Sequence, residues 1–303
     1  KTDFAFKKIF GSSENKHILK SFLNALIYEG NPVIEDLEII DTALSLKISG
    51  LKDSYLDVKA KINDGTTVII EMQVLNVASF AKRVIYNAAK TYANQLGKGE
   101  GYSKLKPVIA LTITDFEMFQ DRAKVISHFR FKEVEDLFDY PEPEIDLFFV
   151  ELPKFKKDLE QLESIADKWI YFIKNAPSLE IIPGKMGEVS EINQAFEMAN
   201  EANLSLAELE ALEKREMVIE DQRNLIVKGL QEGLEKGRQE GRQEGLQEGR
   251  QEGLQEGRQE GLQEGMKKRT LEIARQLLDI LDDQTIIQKT GLTLEDIQQL
   301  RKE

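Results

Sequence analysis

Residues 55–74 read YLDVKAKINDGTTVIIEMQV, two alternating apolar runs around a turn, and they carry two carboxylates at a defined spacing. Asp57 is followed by thirteen residues, then by Glu71, one further residue and Gln73. Carboxylates that converge from neighbouring strands suit a hard divalent cation such as Mg²⁺ or Mn²⁺, because such ions prefer oxygen ligands. The alternative is an ionic face exposed to solvent, in which Lys59 balances the two acids.

The turn between the two runs decides which residues lie opposite each other. A two-residue loop, Asp64-Gly65, would mix polar and apolar residues on both faces of the hairpin. A three-residue loop, 63–65, with Gly65 in the left-handed conformation as a bulge, pairs apolar residues with apolar residues. The pairs are then Leu56–Met72, Val58–Ile70 and Ala60–Val68. Because a slip of one residue moves every side chain to the other face, this register is favoured, and it places Asp57 directly opposite Glu71 with Cβ atoms about 5 Å apart.

The elements that must position these residues follow from hydrophobic periodicity. Residues 1–27 show helical spacing in two pieces, separated at Gly11-Ser12-Ser13, and residues 78–96 show it again. Strand-like runs cover about 36–48, 55–62, 66–74, 107–113 and 144–152. With a short helix before the last strand, the order is helix, three strands, helix, strand, short helix, strand. This order predicts an α/β (α+β) fold with a mixed sheet flanked by helices.

Composition narrows the classes of function. The 303 residues contain no cysteine, which excludes disulfides, thiol nucleophiles and cysteine-ligated zinc. The histidines are His17 and His128 alone, so neither a His-rich metal site nor a Ser-His-Asp triad is expected. No apolar run approaches the ~18 residues of a membrane-spanning helix, which predicts a cytoplasmic protein with no membrane partner. The net charge of −13 lies mostly in the second half, so the first half is neutral enough to approach a phosphate backbone.

The second half of the chain is predicted to be helical and to contain a repeat. We expect a helical linker over 156–228, a low-complexity segment over 229–265 and a small helical module over 266–303, in which Thr293 caps the last helix with Asp296. In the repeat, glycine recurs at every fourth position, in units such as GRQE and GLQE. Each glycine costs about 1 kcal/mol in a helix, and a period of four does not match 3.6 residues per turn. The segment is therefore either an exposed, marginal helix or flexible spacer, or a glycine stripe that lets two helices approach closely.

The order and spacing of these segments resemble the PD-(D/E)XK phosphodiesterase fold, and within it the Rpn family of recombination-promoting nucleases and transposase-like proteins. The matching segments are KTDFAFKKIFGS, SFLNALI, LDVKA, IIEMQV, FAKRVIYNAAKTYANQL, PVIALTI and DLFFVELPKF. A glycine-repeat tail is also common in that family. The resemblance implies a restriction-endonuclease-like core in residues 1–155. It further implies a Mg²⁺- or Mn²⁺-dependent endonuclease that cuts double-stranded DNA in recombination or in the movement of mobile elements.

The resemblance also implies roles for individual residues. Asp57 and Glu71 correspond to the metal-binding acids of the family, and the backbone carbonyl of Met72 would complete the protein ligands. Gln73 occupies the position of the lysine in the usual motif; its neutral amide can orient the attacking water but cannot neutralise charge. Lys59, on the same face of the hairpin, is our candidate for the missing positive charge.

Three further positions are open to two interpretations each. Asp3 matches the N-terminal acidic position of the family and is a candidate third metal ligand, with Glu14 as a second candidate. Equally, Asp3 would cap a helix that begins at Phe4. Arg83 and Tyr86 lie three residues apart on the helix after the hairpin, and either contact a nucleic-acid phosphate or belong to the ordinary polar side of that helix.

Two functions remain open at this point. The first is a metal-dependent DNA endonuclease. The second is a catalytically weak or inactive nuclease-fold module that forms homo-oligomers through its helical, glycine-repeat tail. Gln73 and the negative net charge favour the second function. The Asp57–Glu71 pair favours the first, because an interaction module has no need to keep acids of different strands in register.

Overall fold

A mixed sheet organises the first of the two units, Lys1–Asn224 and Leu225–Glu303, into which the chain divides in this computed structural model. The structure describes residues 3–44, 54–142, 144–179, 181–200 and 204–302. Its strands are β1 Leu37–Ile39, β2 Ala43–Leu44, β3 Ser54–Tyr55, β4 Val58–Ile62, β5 Thr67–Gln73, β6 Val108–Thr114, β7 Ile126–Phe129 and β8 Ile145–Glu151. Within the described residues, six strands form one sheet in the order β1-β4-β5-β6-β8-β7, and β2 pairs with β3.

Strand direction in the large sheet matches the predicted mixed topology. β5, β6 and β8 run parallel, whereas β1, β4 and β7 are antiparallel to their neighbours. All seven residues of β6 are buried, as is usual for a strand inside a parallel sheet covered on both faces. The predicted strand over 36–48 corresponds to β1 and β2, and its residues 45–48 lie outside the described residues.

Helices precede, cover and follow the sheet, which confirms the predicted α/β (α+β) class. They are α1 Asp3–Phe10, α2 Lys16–Ile27, α3 Phe80–Ala93, α4 Ile165–Asn175, α5 Gly184–Gly187, α6 Ser190–Ala199, α7 Leu206–Leu277, α8 Asp283–Thr290 and α9 Leu294–Leu300. Among the described residues, no helix combines the length and the apolar character that crossing a bilayer requires.

The β4–β5 hairpin has the predicted register. Gly65 has a φ of 91° in the three-residue turn, and its N–H donates to the carbonyl of Ile62 at 2.9 Å. The paired residues are Val58–Ile70, Lys59–Ile69, Ala60–Val68 and Lys61–Thr67. The predicted pairs Val58–Ile70 and Ala60–Val68 are therefore confirmed. A left-handed residue at the end of such a loop is the position that only glycine adopts without strain.

The third predicted pair, Leu56–Met72, is wrong. The chain bends at Asp57, and β4 begins one residue later. Leu56 is buried with Ile69 on the face covered by α3, whereas Met72 is buried in the core on the opposite face. The bend frees Leu56 from the alternation of the strand, and the ladder ends at Val58–Ile70. The predicted placement of Asp57 directly opposite Glu71 is therefore also wrong, because Asp57 lies beyond the end of the ladder and instead accepts the N–H of Met72.

Two cores lie on opposite faces of the sheet, because successive residues of a strand point to opposite faces. On one face, the rings of Phe10, Phe22 and Trp169 from α1, α2 and α4 pack with centroids 4.6 Å (Phe10–Phe22) and 5.4 Å (Phe22–Trp169) apart. On the other face, Phe80 and Val84 of α3 are buried against the strands. Because α4 and α6 contribute to the first core, the domain boundary predicted after residue 155 falls inside this unit.

The short helix predicted before the last strand is wrong. The described residues of this stretch instead contain β7, which pairs antiparallel with β8 at the edge of the sheet. Ser127 and Phe149 lie opposite each other in this pair, as do Phe129 and Leu147. A four-residue edge strand has too few alternating positions to be distinguished from a turn or a short helix by its pattern.

The second unit contains the glycine repeat and a three-helix cluster. The repeat forms part of α7, and its side chains are exposed. Ala274, Ile286 and Ile297, from α7, α8 and α9, form a small buried core. The predicted cap of α9 is confirmed: the N–H of Asp296 donates to Thr293 Oγ1 at 3.2 Å, and the N–H of Thr293 donates to Asp296 Oδ2 at 3.0 Å.

Candidate active site

Glu71 lies near the carboxyl end of β5, on the face of the sheet that α3 covers. The side chain of Glu71 is 16% exposed, and its Oε1 lies 2.5 Å from Arg83 Nη2 of α3. The Asn87 amide, one turn further along α3, points Nδ2 at Glu71 Oε2 over 3.5 Å. Burial raises the pKa of the Glu71 carboxyl above its usual range, against the opposing effects of Arg83 and Asn87.

Gln73 lies two residues after Glu71 and points to the same face of β5. Its Oε1 accepts a hydrogen bond from Arg83 Nη2 at 2.5 Å, and its Nε2 donates to the carbonyl of Leu75 at 2.6 Å. Both polar ends of the Gln73 amide therefore have protein partners, and these partners set which end faces Arg83.

Arg83 bridges the two side chains through one nitrogen. Its guanidinium lies 5.2 Å from the centroid of the Phe80 ring, and its side chain is 40% exposed. Among the described residues, Arg83 Nε is buried and has no hydrogen-bond partner. A buried N–H without a partner is uncommon in folded proteins, so the protein contacts of Arg83 leave this nitrogen unsatisfied.

Asp57 lies at the bend before β4 and contacts a different cation. Its Oδ2 accepts a hydrogen bond from the backbone N–H of Met72 at 2.8 Å, and its Oδ1 lies 3.6 Å from Lys7 Nζ of α1. The Asp57 side chain is 12% exposed. A cleft of about 460 Å³ lies beside it, with Asp41 also in its wall.

The Met72 amide faces the Asp57 side of β5. In an antiparallel ladder a residue directs its N–H and C=O towards the same neighbouring strand. Because the N–H of Met72 bonds to Asp57, the carbonyl of Met72 is directed towards that side as well, beyond the last pair of the ladder, Val58–Ile70.

Lys59 lies on the predicted face of the hairpin. It is paired in the ladder with Ile69, which shares a face of β5 with Glu71. Burial lowers the pKa of the Lys59 ammonium, while the nearby Asp41 carboxylate raises it. Among the described residues, the cation in contact with both Glu71 and Gln73 is Arg83.

The remaining candidates are distributed around this region. Asp3 is the first residue of α1, and its side chain lies outside the described part of the structure. Glu14 is exposed in the turn between α1 and α2. Tyr86 is 40% exposed, and Lys90 Nζ lies 5.6 Å from the centroid of its ring. His17 Nε2 lies 2.6 Å from Gln194 Oε1, a hydrogen bond between α2 and α6.

The comparison with protein families decides the identity of the fold. A family model described as PD-(D/E)XK nuclease family transposase matches residues 1–229. The chain belongs to this family. The match confirms the resemblance to nucleases and transposases that the hairpin and its flanking segments indicated. No curated protein and no solved structure matches the chain.

Nucleases of the PD-(D/E)XK family generally use divalent metal ions, and the donor chemistry of this region fits such an ion. Asp57, Glu71 and the Met72 carbonyl are hard oxygen donors, which suit Mg²⁺ or Mn²⁺. Among the described residues, no group of three or more His, Asp or Glu side chains is placed to hold a metal ion. A site here would therefore combine the two carboxylates with backbone oxygen, water and substrate oxygen.

The contacts of Lys7 and Asn87 are not predicted from the sequence. Lys7 belongs to a segment that matches the family, but nothing in the alternation of the hairpin indicates which helix reaches Asp57. Asn87 follows Arg83 by four residues, and side chains at this spacing lie on the same face of a helix. This i,i+4 spacing is the signal that could have identified Asn87 as a second neighbour of Glu71.

Proposed function

We propose that the chain is a metal-dependent DNA endonuclease that hydrolyses phosphodiester bonds in recombination or in the movement of mobile elements. One observation carries the proposal: Asp57 and Glu71 are largely buried carboxylates at neighbouring strands, and each contacts a cation from a different helix. Burial of a carboxylate costs free energy unless a cation compensates it. A solvated ionic face would leave the two carboxylates exposed, whereas their burial beside fixed donors supports a site for a divalent ion.

Asp57, Glu71 and the Met72 carbonyl would hold the ion, and Asp3 remains our proposed third acid. Once bound, Mg²⁺ or Mn²⁺ would lower the pKa of a coordinated water and polarise the phosphate. The contribution of the chain is to keep the two carboxylates oriented before the ion arrives. The Met72 N–H holds Asp57, and Arg83 with Asn87 holds Glu71.

Double-stranded DNA in the cytoplasm is the substrate that we propose. Lys7 and Arg83 supply positive charge at the two carboxylates and are 45% and 40% exposed, so a phosphate can reach them. Tyr86 is exposed on the same helix as Arg83 and remains a proposed phosphate contact. Lys59 remains a proposed source of positive charge near the hairpin.

A second candidate function is a weak or inactive nuclease-fold module that assembles through its C-terminal region. The exposed surface of α7 favours this candidate, since Leu246, Leu254 and Leu262 of the repeat are all largely exposed. Such apolar side chains on a long helix are a common feature of helix–helix interfaces. We propose a homo-oligomer through this region under either function.

The test is cleavage of supercoiled plasmid in Mg²⁺ or Mn²⁺. Wild type is compared with Asp57→Ala and Glu71→Ala, and with Glu38→Ala as a matched control, because Glu38 is an exposed acid of the same sheet. We expect metal-dependent nicking or linearisation by wild type and by the control. Each site variant should lose more than about 100-fold in rate, since even indirect supports of a metal site are worth about 10–100-fold.

Fluorescence of Trp169, the single tryptophan, reports whether each variant is folded. If folded wild type and both site variants leave the plasmid equally intact, the endonuclease proposal fails and the interaction module is favoured. Cleavage that persists at the wild-type rate in both site variants would also contradict it, because the activity would then belong to other residues.

A further inference from the structure

We propose that Arg83 provides the positive charge that the strand motif lacks, and that Gln73 positions Arg83 instead of orienting water. This inference rests on the proposed endonuclease function and assigns roles within the same site. Arg83 would be a catalytic residue that touches the scissile phosphate, and Gln73 would be a positioning residue.

Two hydrogen bonds fix the orientation of the Gln73 amide. Arg83 Nη2 contacts its Oε1 at 2.5 Å, and the carbonyl of Leu75 accepts from its Nε2 at 2.6 Å. An amide with its acceptor and its donor group both engaged is held in a single orientation. Gln73 therefore presents its carbonyl oxygen to the guanidinium and keeps its NH₂ group turned to the backbone.

The three cations near the hairpin lie beside different acids. Lys7 contacts Asp57, and Lys59 lies under the electrostatic influence of Asp41. Arg83 contacts Glu71 and Gln73, the two positions that define the end of the motif. A guanidinium from α3 thus lies beside the strand position at which the usual motif has its own lysine.

Arg83 has donor groups that Glu71 and Gln73 do not occupy. One nitrogen, Nη2, serves both Glu71 and Gln73, whereas the buried Nε has no partner among the described residues. An arginine presents its donors in a rigid fork that matches the oxygens of a phosphate. Nε is shielded from solvent, so a phosphate oxygen would approach the exposed part of the Arg83 side chain, which is 40% exposed overall, while Gln73 retains its hydrogen bond.

The chemical consequence concerns charge in the transition state. Before substrate arrives, Arg83 balances the buried Glu71 carboxylate. During hydrolysis negative charge increases on the phosphate oxygens, and a fixed cation aimed at them lowers the barrier. Gln73 contributes by fixing where the guanidinium lies, which is why a neutral amide is sufficient at the strand position.

The test moves the positive charge from position 83 of α3 to position 73 of β5. We compare Arg83→Gln, Gln73→Lys and the double variant, with Lys82→Gln as the control, because Lys82 is an exposed cation of the same helix. Arg83→Gln should lower kcat by about 100- to 1,000-fold, as loss of a charge-stabilising donor does, with a smaller change in KM. The double variant carries its lysine at the strand position instead, and its kcat should be at least about tenfold higher than that of Arg83→Gln.

Mn²⁺ affinity, measured by electron paramagnetic resonance, gives a readout that does not depend on activity. Arg83→Gln should bind Mn²⁺ at least as tightly as wild type, because the substitution removes a cation that competes for Glu71. If Arg83→Gln weakens Mn²⁺ binding and the double variant gives no recovery, Arg83 only supports Glu71 and the inference is overturned. Full activity of Arg83→Gln overturns it too.

The two proposals fail in distinguishable ways. If wild type does not cleave, or cleaves equally well without Asp57 and Glu71, the endonuclease proposal fails and this inference falls with it. If Asp57→Ala and Glu71→Ala abolish cleavage while Arg83→Gln behaves as Lys82→Gln does, the endonuclease proposal stands and the role of Arg83 alone is refuted.

Discussion

The Asp57 carboxylate takes the place of a strand partner for Met72. The chain bends at Asp57, and the ladder between β4 and β5 ends with Val58 and Ile70. The next N–H on that side of β5 belongs to Met72, and it donates to Asp57 Oδ2 at 2.8 Å. The hydrogen bond satisfies a partly buried donor and at the same time fixes one of the two acids of the site.

This relationship predicts different effects of two substitutions at Asp57. Asn retains an acceptor for the Met72 N–H, so Asp57→Asn should change the free energy of unfolding by less than about 1 kcal/mol. Ala leaves that N–H without its partner, so Asp57→Ala should cost about 1–3 kcal/mol. Urea unfolding monitored by Trp169 fluorescence measures both. Equal stability of the two variants would show that the hydrogen bond does not support the fold.

The cap of α4 predicts a dependence of stability on pH. Asp167 accepts hydrogen bonds from Lys157 Nζ at 2.8 Å and from the backbone N–H groups of Ser164 and Glu163 at 3.1 and 3.3 Å. Burial of Asp167 raises the pKa of its carboxyl, but these hydrogen bonds outweigh burial and lower it below 3.8. A folded-state pKa below the unfolded value contributes stability above pH 3.8, which is lost as the pH falls through the folded-state value.

Asp167→Asn should therefore be less stable than wild type at neutral pH, by about 1 kcal/mol, the usual contribution of a helix cap. The difference should shrink as the pH falls below 3.8. Urea unfolding at a series of pH values measures it, with Glu163→Gln as the control because that side chain is exposed. A difference that stays constant down to strong acid would contradict the assignment to the ionised carboxylate.

Disrupting the capping box of α9 should destabilise the second unit locally. Thr293→Ala removes the acceptor for the N–H of Asp296 and should cost about 1 kcal/mol. Hydrogen exchange of residues 294–300 in the full chain should accelerate by about fivefold, the factor that such a free energy implies. Thr270→Ala is the matched control, because its hydroxyl bonds within α7 to the carbonyl of Met266. Equal exchange in both variants would refute the role of the cap.

The sequence predicts the structure correctly where a local conformational preference and the pattern of buried apolar residues agree. The left-handed Gly65 and the apolar alternation of the hairpin admit one register, and the structure has it. The Thr293 cap is local in the same way, because its partner lies three residues away. In both cases the interacting groups are close in sequence, so their geometry follows from the chain itself.

The sequence was insufficient where the chain leaves a regular element or where distant elements meet. Leu56 is predicted on the wrong face because the alternation of apolar residues in the sequence continues past Asp57, where the chain itself bends. The bridge from Arg83 to Glu71 and Gln73 depends on how α3 packs on the sheet, and periodicity alone does not set that rotation. The contact between Lys7 and Asp57 depends in the same way on the packing of α1.

Replacing glycines of the repeat with alanine distinguishes an exposed helix from a helix–helix interface. A Cβ atom added at Gly245, Gly249 or Gly253 would have no atom within 4 Å outside its own helix. Ala also favours a helix over Gly by about 1 kcal/mol per residue. Changing all three glycines to Ala should therefore stabilise this part of α7 by about 3 kcal/mol, measured as slower hydrogen exchange over residues 240–258.

The control changes Gln243, Gln247 and Gln251 to Ala, because these side chains are exposed in the same stretch and glutamine is already a good helix former. Sedimentation over a range of protein concentrations completes the experiment. If the glycines face a second helix, three added methyl groups would force the helices apart, and an oligomer formed by wild type would dissociate in the glycine variant but not in the control. An unchanged assembly state with slower exchange instead means that the glycine stripe faces solvent, and that any homo-oligomer uses another surface of the C-terminal region.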